Sequence, residues 1–185
     1  MRFRLLLLVL LVFPCAAGSA RAQVFVGPNL EWSHFSFPEA FRDESGNVVS
    51  IGGFYLQPGL RLGYLFPGGI LAASVDAGVQ SEHLGSFKYT SVIVEPTLAY
   101  LFRADHATSP YAGVSTGLEH LSSLEHFTRP IVGGAVGVRR RVSAGHGFVR
   151  GELRYDHFMK RDTKGFVVPE NTVGLRIGLD LVLSR

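Results

Sequence analysis

Between Gly53 and Phe66 the chain reads GFYLQPGLRLGYLF, and its apolar residues recur at every second position. Phe54, Leu56, Pro58, Leu60, Leu62, Tyr64 and Phe66 share one face of an extended strand. Gly53, Tyr55, Gln57, Gly59, Arg61, Gly63 and Leu65 share the other. A helix would require apolar residues three and four apart, and this register does not sort that way. Period two excludes a helix here and dictates a strand with two chemically different faces.

The same alternation returns along the chain. Thr172–Leu183 places Val173, Leu175, Ile177, Leu179, Leu181 and Leu183 on one face, opposite Thr172, Gly174, Arg176, Gly178 and Asp180. Leu71–Val79 and Ser91–Phe102 alternate as clearly. Tyr111–Leu121, Pro130–Val142 and Phe148–His157 do so more faintly, and an opening strand is expected around Phe25–Phe37. That makes eight strands, with no stretch reading as a long helix. The connectors sort by end. Phe37–Ile51, Ser81–Lys88, Leu121–Arg129 and Phe158–Asn171 read as long, whereas Pro67-Gly68-Gly69, Arg103–Pro110 and Ser143–Gly147 are shorter. In an up-and-down barrel alternate connectors emerge at opposite ends, so the long ones gather at one end and both termini at the other.

The first residues are of another kind. Arg2 and Arg4 precede an unbroken apolar run from Leu5 to Phe13, and Ala20-Arg21-Ala22 places small residues where a signal peptidase reads them. The expected division is a cleaved signal peptide over 1–22 and a barrel domain over 23–185. A permanent anchor fits less well, because the run is short and Pro14 interrupts it. A lipoprotein reading of Cys15 meets Pro14 where processing requires a small residue. Cys15 is the one cysteine, so the rest of the chain forms no internal disulfide. The formal charge of +3 does not indicate nucleic acid: without Arg2, Arg4 and Arg21 the 15 remaining basic residues face 15 acidic ones.

Which face points outward decides the compartment. A soluble barrel buries its apolar face, and a membrane barrel inverts that. The second face carries Arg61, Arg139, Arg141, Arg150, Arg154 and Arg176 against Glu31, Asp76, Glu95, Glu119, Glu152, Asp156 and Asp180. Turned inward, these would form a salt-bridge lattice, with glycines such as Gly59, Gly78, Gly133 and Gly174 making room for long side chains. Tyr64, Phe66, Tyr100 and Phe102, joined by Tyr111 and Phe148, are expected as an aromatic girdle at the short-turn rim. Pro58 and Pro96 interrupt ladders, and Arg140 would face lipid unless it snorkels at the strand end.

The segments PGLRLGYLFPGG (Pro58–Gly69), VEPTLAYLF (Val94–Phe102), PYAGVSTGLE (Pro110–Glu119), GELRYDHF (Gly151–Phe158) and NTVGLRIGLDLVL (Asn171–Leu183) resemble the bacterial outer-membrane β-barrel family, the small eight-stranded OmpA-like barrels. The resemblance covers essentially the whole chain after the leader. It implies an all-β, eight-stranded antiparallel up-and-down transmembrane barrel in the cell outer membrane of a Gram-negative envelope. It further implies outer-membrane lipids and the barrel-assembly machinery as partners, a monomer, and external loops available to a ligand. The family often closes on an aromatic residue that the assembly machinery reads; this chain closes on Leu183-Ser184-Arg185. No peptidoglycan-binding domain is expected after Arg185, so wall anchoring would need a partner.

Catalysis and metal binding are the competing readings. Outer-membrane lipid A deacylases, which this chain resembles in size and fold, use a His-x-Ser pair with a carboxylate. His120-Leu121-Ser122 with Glu119 or Glu125 is the nearest arrangement, and His157-Phe158-Met159 lacks the serine. His83, His120, His126 and His157 fall near the long-loop end without a metal-ligand spacing. Asp43–Asn47 reads as a turn, and no glycine motif cradles a phosphate. The expectation is a non-enzymatic integral barrel with a narrow, charge-filled lumen, with no catalytic, cofactor or metal residues and no cofactor. The alternatives are a lipid-modifying barrel enzyme and a soluble lipocalin-like ligand-binding barrel.

Overall fold

The computed structural model describes residues 22–36, 41–42, 48–49, 52–84, 87–122, 126–142, 147–159 and 170–183. Residues 1–21 of the leader, the segment 43–47 expected as a turn, and Glu125 lie outside them. Among the described residues there are ten strands: β1 (Gln23–Ser36), β2 (Phe41–Arg42), β3 (Val48–Val49), β4 (Gly52–Leu65), β5 (Leu71–Leu84), β6 (Phe87–Leu101), β7 (Thr108–Ser122), β8 (His126–Val142), β9 (Gly147–Phe158) and β10 (Asn171–Val182). Eight close into an antiparallel barrel in the order β1-β10-β9-β8-β7-β6-β5-β4, and β2 pairs with β3 apart from it. Closure rests on β1, which bonds β4 along one edge and β10 along the other. Every expected strand is present. The expected link Phe37–Ile51 instead contains the small β2–β3 pair, which flanks the Asp43–Asn47 segment.

One end of the barrel carries turns. At Pro67–Gly69 the chain reverses with Gly68 and Gly69 at φ of 86° and 72°, a conformation that side chains with a Cβ avoid. Gly69 N donates to Phe66 O at 2.9 Å. The turn after β6 places Arg103 at φ 63° and closes through His106 N to Arg103 O at 3.1 Å.

At the opposite, loop end, two connectors expected to be long are not. The β5–β6 ladder continues through Ser81↔Thr90, Glu82↔Tyr89 and His83↔Lys88 to Leu84↔Phe87, leaving two residues between the strands. The β7–β8 ladder continues to Ser122↔His126. These segments read as loops because they are polar on both faces, yet a ladder needs backbone bonds and not apolar alternation. Gly85-Ser86 is itself a hairpin turn signal.

The β4–β5 seam is incomplete. Its ladder runs from Leu65↔Ala72 to Gly59↔Gly78 and stops there, so Gly52–Pro58 of β4 is paired with β1 and not with β5. The break begins at Pro58, which has no N–H to donate.

Burial follows the period-two faces. Phe54, Leu56, Leu60 and Leu62 are about 61%, 58%, 62% and 52% exposed, while Tyr55, Gln57 and Arg61 between them are buried. From Phe54 to Tyr64 is about ten residue steps, ~33 Å along the strand, or ~25 Å along the barrel axis at a tilt of ~40°. That matches the apolar belt of a membrane barrel.

Candidate functional site

The inward faces converge on a charged lumen. Six arginines (Arg61, Arg129, Arg139, Arg150, Arg154 and Arg176) and seven carboxylates (Glu31, Asp76, Glu95, Glu119, Glu152, Asp156 and Asp180) are buried there. The expected set is met with one exchange. Arg141 lies on the inward face but is exposed at the turn-end mouth, while Arg129, one residue before the expected start of β8 at Pro130, is buried and ion-paired with Glu119. The strand simply begins four residues earlier, at His126.

Glu152 on β9 is the hub. Its carboxylate lies 3.0 Å from Arg150, 3.3 Å from Arg61, and 3.6 Å from both Arg154 and Arg176. It also accepts a hydrogen bond from the Tyr111 hydroxyl. Arg61 forks onto Asp76, with Nε to Oδ1 and Nη2 to Oδ2 both 2.8 Å. Arg154 donates to Glu95 and to Asp156, each at 2.9 Å. Arg176 pairs with Glu31 and reaches Glu95 at 3.3 Å. Isolated ions could not be held in such a core; here Arg61, Arg129, Arg150, Arg154 and Arg176 each lie against at least one carboxylate. Room comes from glycine: a Cβ at Gly133 would collide with Asp156 and Ser115, and one at Gly174 with Ser33 and Glu31.

Apolar groups flank the lattice. Toward the turns, Phe25, Leu65, Ala72, Leu101 and Tyr111 pack together; toward the loops, Ile93, Ile131 and Phe158 do so. Tyr111 and Phe148, expected in the girdle, are thus inside the barrel. Tyr111 is fixed by Glu152, and Phe148 lies beneath the Arg139 guanidinium at 3.8 Å from its ring centre. The alternation itself carries this outcome, since both share the inward parity of Arg139 and Arg150. The girdle is formed by Tyr64 with Phe66 and Tyr100 with Phe102, edge to face at 5.1 and 5.0 Å. At the loop end Trp32 stacks on Phe54 at 5.0 Å, and His34 meets the same ring edge-on.

The candidate catalytic group is not assembled. Consecutive strand residues point to opposite faces: Glu119 faces the lumen, held by Arg129 and Ser91, and His120 faces outward. His120 Nδ1 lies 3.0 Å from Thr128 Oγ1, and Ser122 Oγ instead contacts His126 Nδ1 at 3.2 Å. His157 contacts Asn171. Among the described residues no group of three or more His, Cys, Asp or Glu side chains is placed to hold a metal ion. Arg140 is exposed near the turn end of β8, as its register requires.

An apolar exterior around a buried ion lattice, in a closed eight-stranded barrel, defines the class of small outer-membrane barrels. No family model matches the sequence, and no curated protein matches it. Among solved structures the chain is similar to Neisserial surface protein A, at 17% identity and a TM-score of 0.67 over 87% of this chain and 98% of that one. It is also similar to the outer membrane protein OprG from Pseudomonas aeruginosa (10% identity, TM-score 0.52, 89% and 95% covered). A major outer membrane protein from Thermus thermophilus matches at 15% identity and a TM-score of 0.52, with 85% and 99% covered. At such identities the likeness is one of fold.

Proposed function

We propose that this chain is a non-enzymatic integral barrel of the bacterial outer membrane, reached after removal of residues 1–22, with a lumen closed by its own ion pairs. The loop-end segments are then the part offered to the outside for binding or adhesion, and the immediate partners are outer-membrane lipids and the machinery that inserts barrels. One observation carries the reading: the charges are inside and the leucines outside. Arg154 and Arg150 are among the most completely buried side chains, whereas Leu60, Val114 and Leu153 are more than half exposed. In water that arrangement would forfeit the hydrophobic stabilisation of every outward leucine, ~1.5–3 kcal/mol each; in lipid it costs nothing.

Membrane residence is tested by extracting washed envelopes first with carbonate and then with detergent. The mature chain is expected in the detergent fraction, and recovery as a soluble monomer in carbonate would refute the proposal and favour a lipocalin-like barrel. Lumen closure is tested by planar-bilayer recording of the purified protein. No steady openings are expected; reproducible conductance on the scale of a general porin would overturn closure.

A further inference from the structure

The lattice is unevenly balanced along the lumen. Arg139 and Arg150 are direct cross-strand partners on β8 and β9, both inward and both more than nine-tenths buried. Like charges opposite one another on one face of a sheet repel. Arg141, on the same face two residues further, stands at the exposed mouth. Among the described residues, Asp180 on β10 is the one lumen carboxylate at this level; Glu152 lies a step deeper and is shared with three other arginines.

Several of their polar atoms are also without hydrogen-bond partners among the described residues. These are Nε of Arg139, Nε, Nη1 and Nη2 of Arg150, and Oδ1 of Asp180. Arg150 approaches Glu152 at 3.0 Å and Asp180 at 3.4 Å without the alignment of a hydrogen bond. Arg139 lies over the Phe148 ring and forms no ion pair among the described residues. Buried guanidinium donors are rarely left unmet. Arg154 and Arg176 each leave Nη1 without a partner but donate through other nitrogens to carboxylates, as Arg61 and Arg129 do, whereas all three nitrogens of Arg150 are unmet among the described residues.

We infer that the turn end of the lumen is a binding site for a small inorganic oxyanion of the hydrogen phosphate class, held between Arg139 and Arg150 with Arg141 at its entrance. Guanidinium forks match oxyanion geometry and give charge-assisted bonds. The free Oδ1 of Asp180 accepts the proton of hydrogen phosphate, which sulfate and chloride do not carry at neutral pH. The site adds to the closed-lumen reading without depending on the membrane in which the barrel sits.

The test is calorimetric titration of the detergent-folded protein at pH 7 with sodium phosphate, sodium sulfate and sodium chloride at matched ionic strength. Saturable single-site heat is expected with phosphate, weakened at least about tenfold in Arg139→Gln. In phosphate-free buffer the same variant should unfold at an unchanged or higher denaturant concentration, since it loses an unpaired buried cation. No heat with the unmodified protein, equal affinity for sulfate, or unaltered phosphate binding by Arg139→Gln would each overturn the inference.

Discussion

Glu152→Gln is the perturbation that probes the lattice most directly, because it keeps the shape of the side chain and removes a charge that four arginines share. At an effective dielectric of about 20, a unit pair at ~3.3 Å attracts by ~5 kcal/mol before desolvation. Four such partners at 3.0 to 3.6 Å make this the most strongly engaged carboxylate in the lumen. Desolvation offsets most of that gross attraction, and stripping one member from a buried pair costs ~3–5 kcal/mol net. The amide retains an acceptor for one arginine, and Asp76, Glu95 and Asp180 still serve the others, so the lower end, about 3 kcal/mol, is expected. With an m-value of ~1–3 kcal/mol per molar urea, the midpoint should fall by roughly 1–3 M. The chain's one tryptophan provides the assay: Trp32 lies on the outward face, 54% exposed and stacked on Phe54. Its emission should shift to the red as the barrel unfolds from lipid vesicles into urea. A midpoint within about 0.3 M of the unmodified protein, at unchanged slope, would show that the lattice contributes nothing through this hub.

Spin labels at Leu56, Leu60, Leu98 and Leu175 should be broadened by a lipid-soluble relaxant, and labels at Gly59, Ala99 and Gly174 shielded from it; the opposite pattern would mean an inverted barrel. Gly133→Ala should lower stability by ~1–3 kcal/mol, as overpacking does, because the new methyl group meets Asp156 and Ser115; an unchanged urea midpoint would show that the lattice can yield there. Amide hydrogen exchange should be faster in Phe54–Gln57 and Val79–Glu82, beside the open β4–β5 seam, than in Leu60–Tyr64 and Ala73–Ala77, where the ladder is complete. Equal protection on both sides of Gly59 would place the missing bonds elsewhere. Arg154→Ala should lower the unfolding midpoint without raising bilayer conductance, since Arg61 and Arg176 still fill the lumen beside it; a gain of steady openings would make this single side chain the plug.

The alternation of residues by itself determined most of this protein. Because a strand's side chains have a strict period of two, Leu56 and Leu60 had to oppose Gln57 and Arg61, and the near-equal numbers of arginines and carboxylates on the second face were enough to anticipate an ion lattice. The same parity also put Tyr111 and Phe148 inside, although their proximity to the turns suggested a girdle; residue type pointed to the rim, and register decided otherwise. Only the tertiary structure settled where polar ladders continue, as at Ser81–Leu84, since backbone bonding leaves no mark on side-chain pattern. It alone made Glu152 the hub and set Arg139 opposite Arg150. Arg150 and Arg154 flank Glu152 on β9 itself, but Arg61 and Arg176 reach it from other strands and Arg139 faces Arg150 across a strand pair. That closeness follows from strand register and the stagger at which the barrel closes, quantities that no single strand contains.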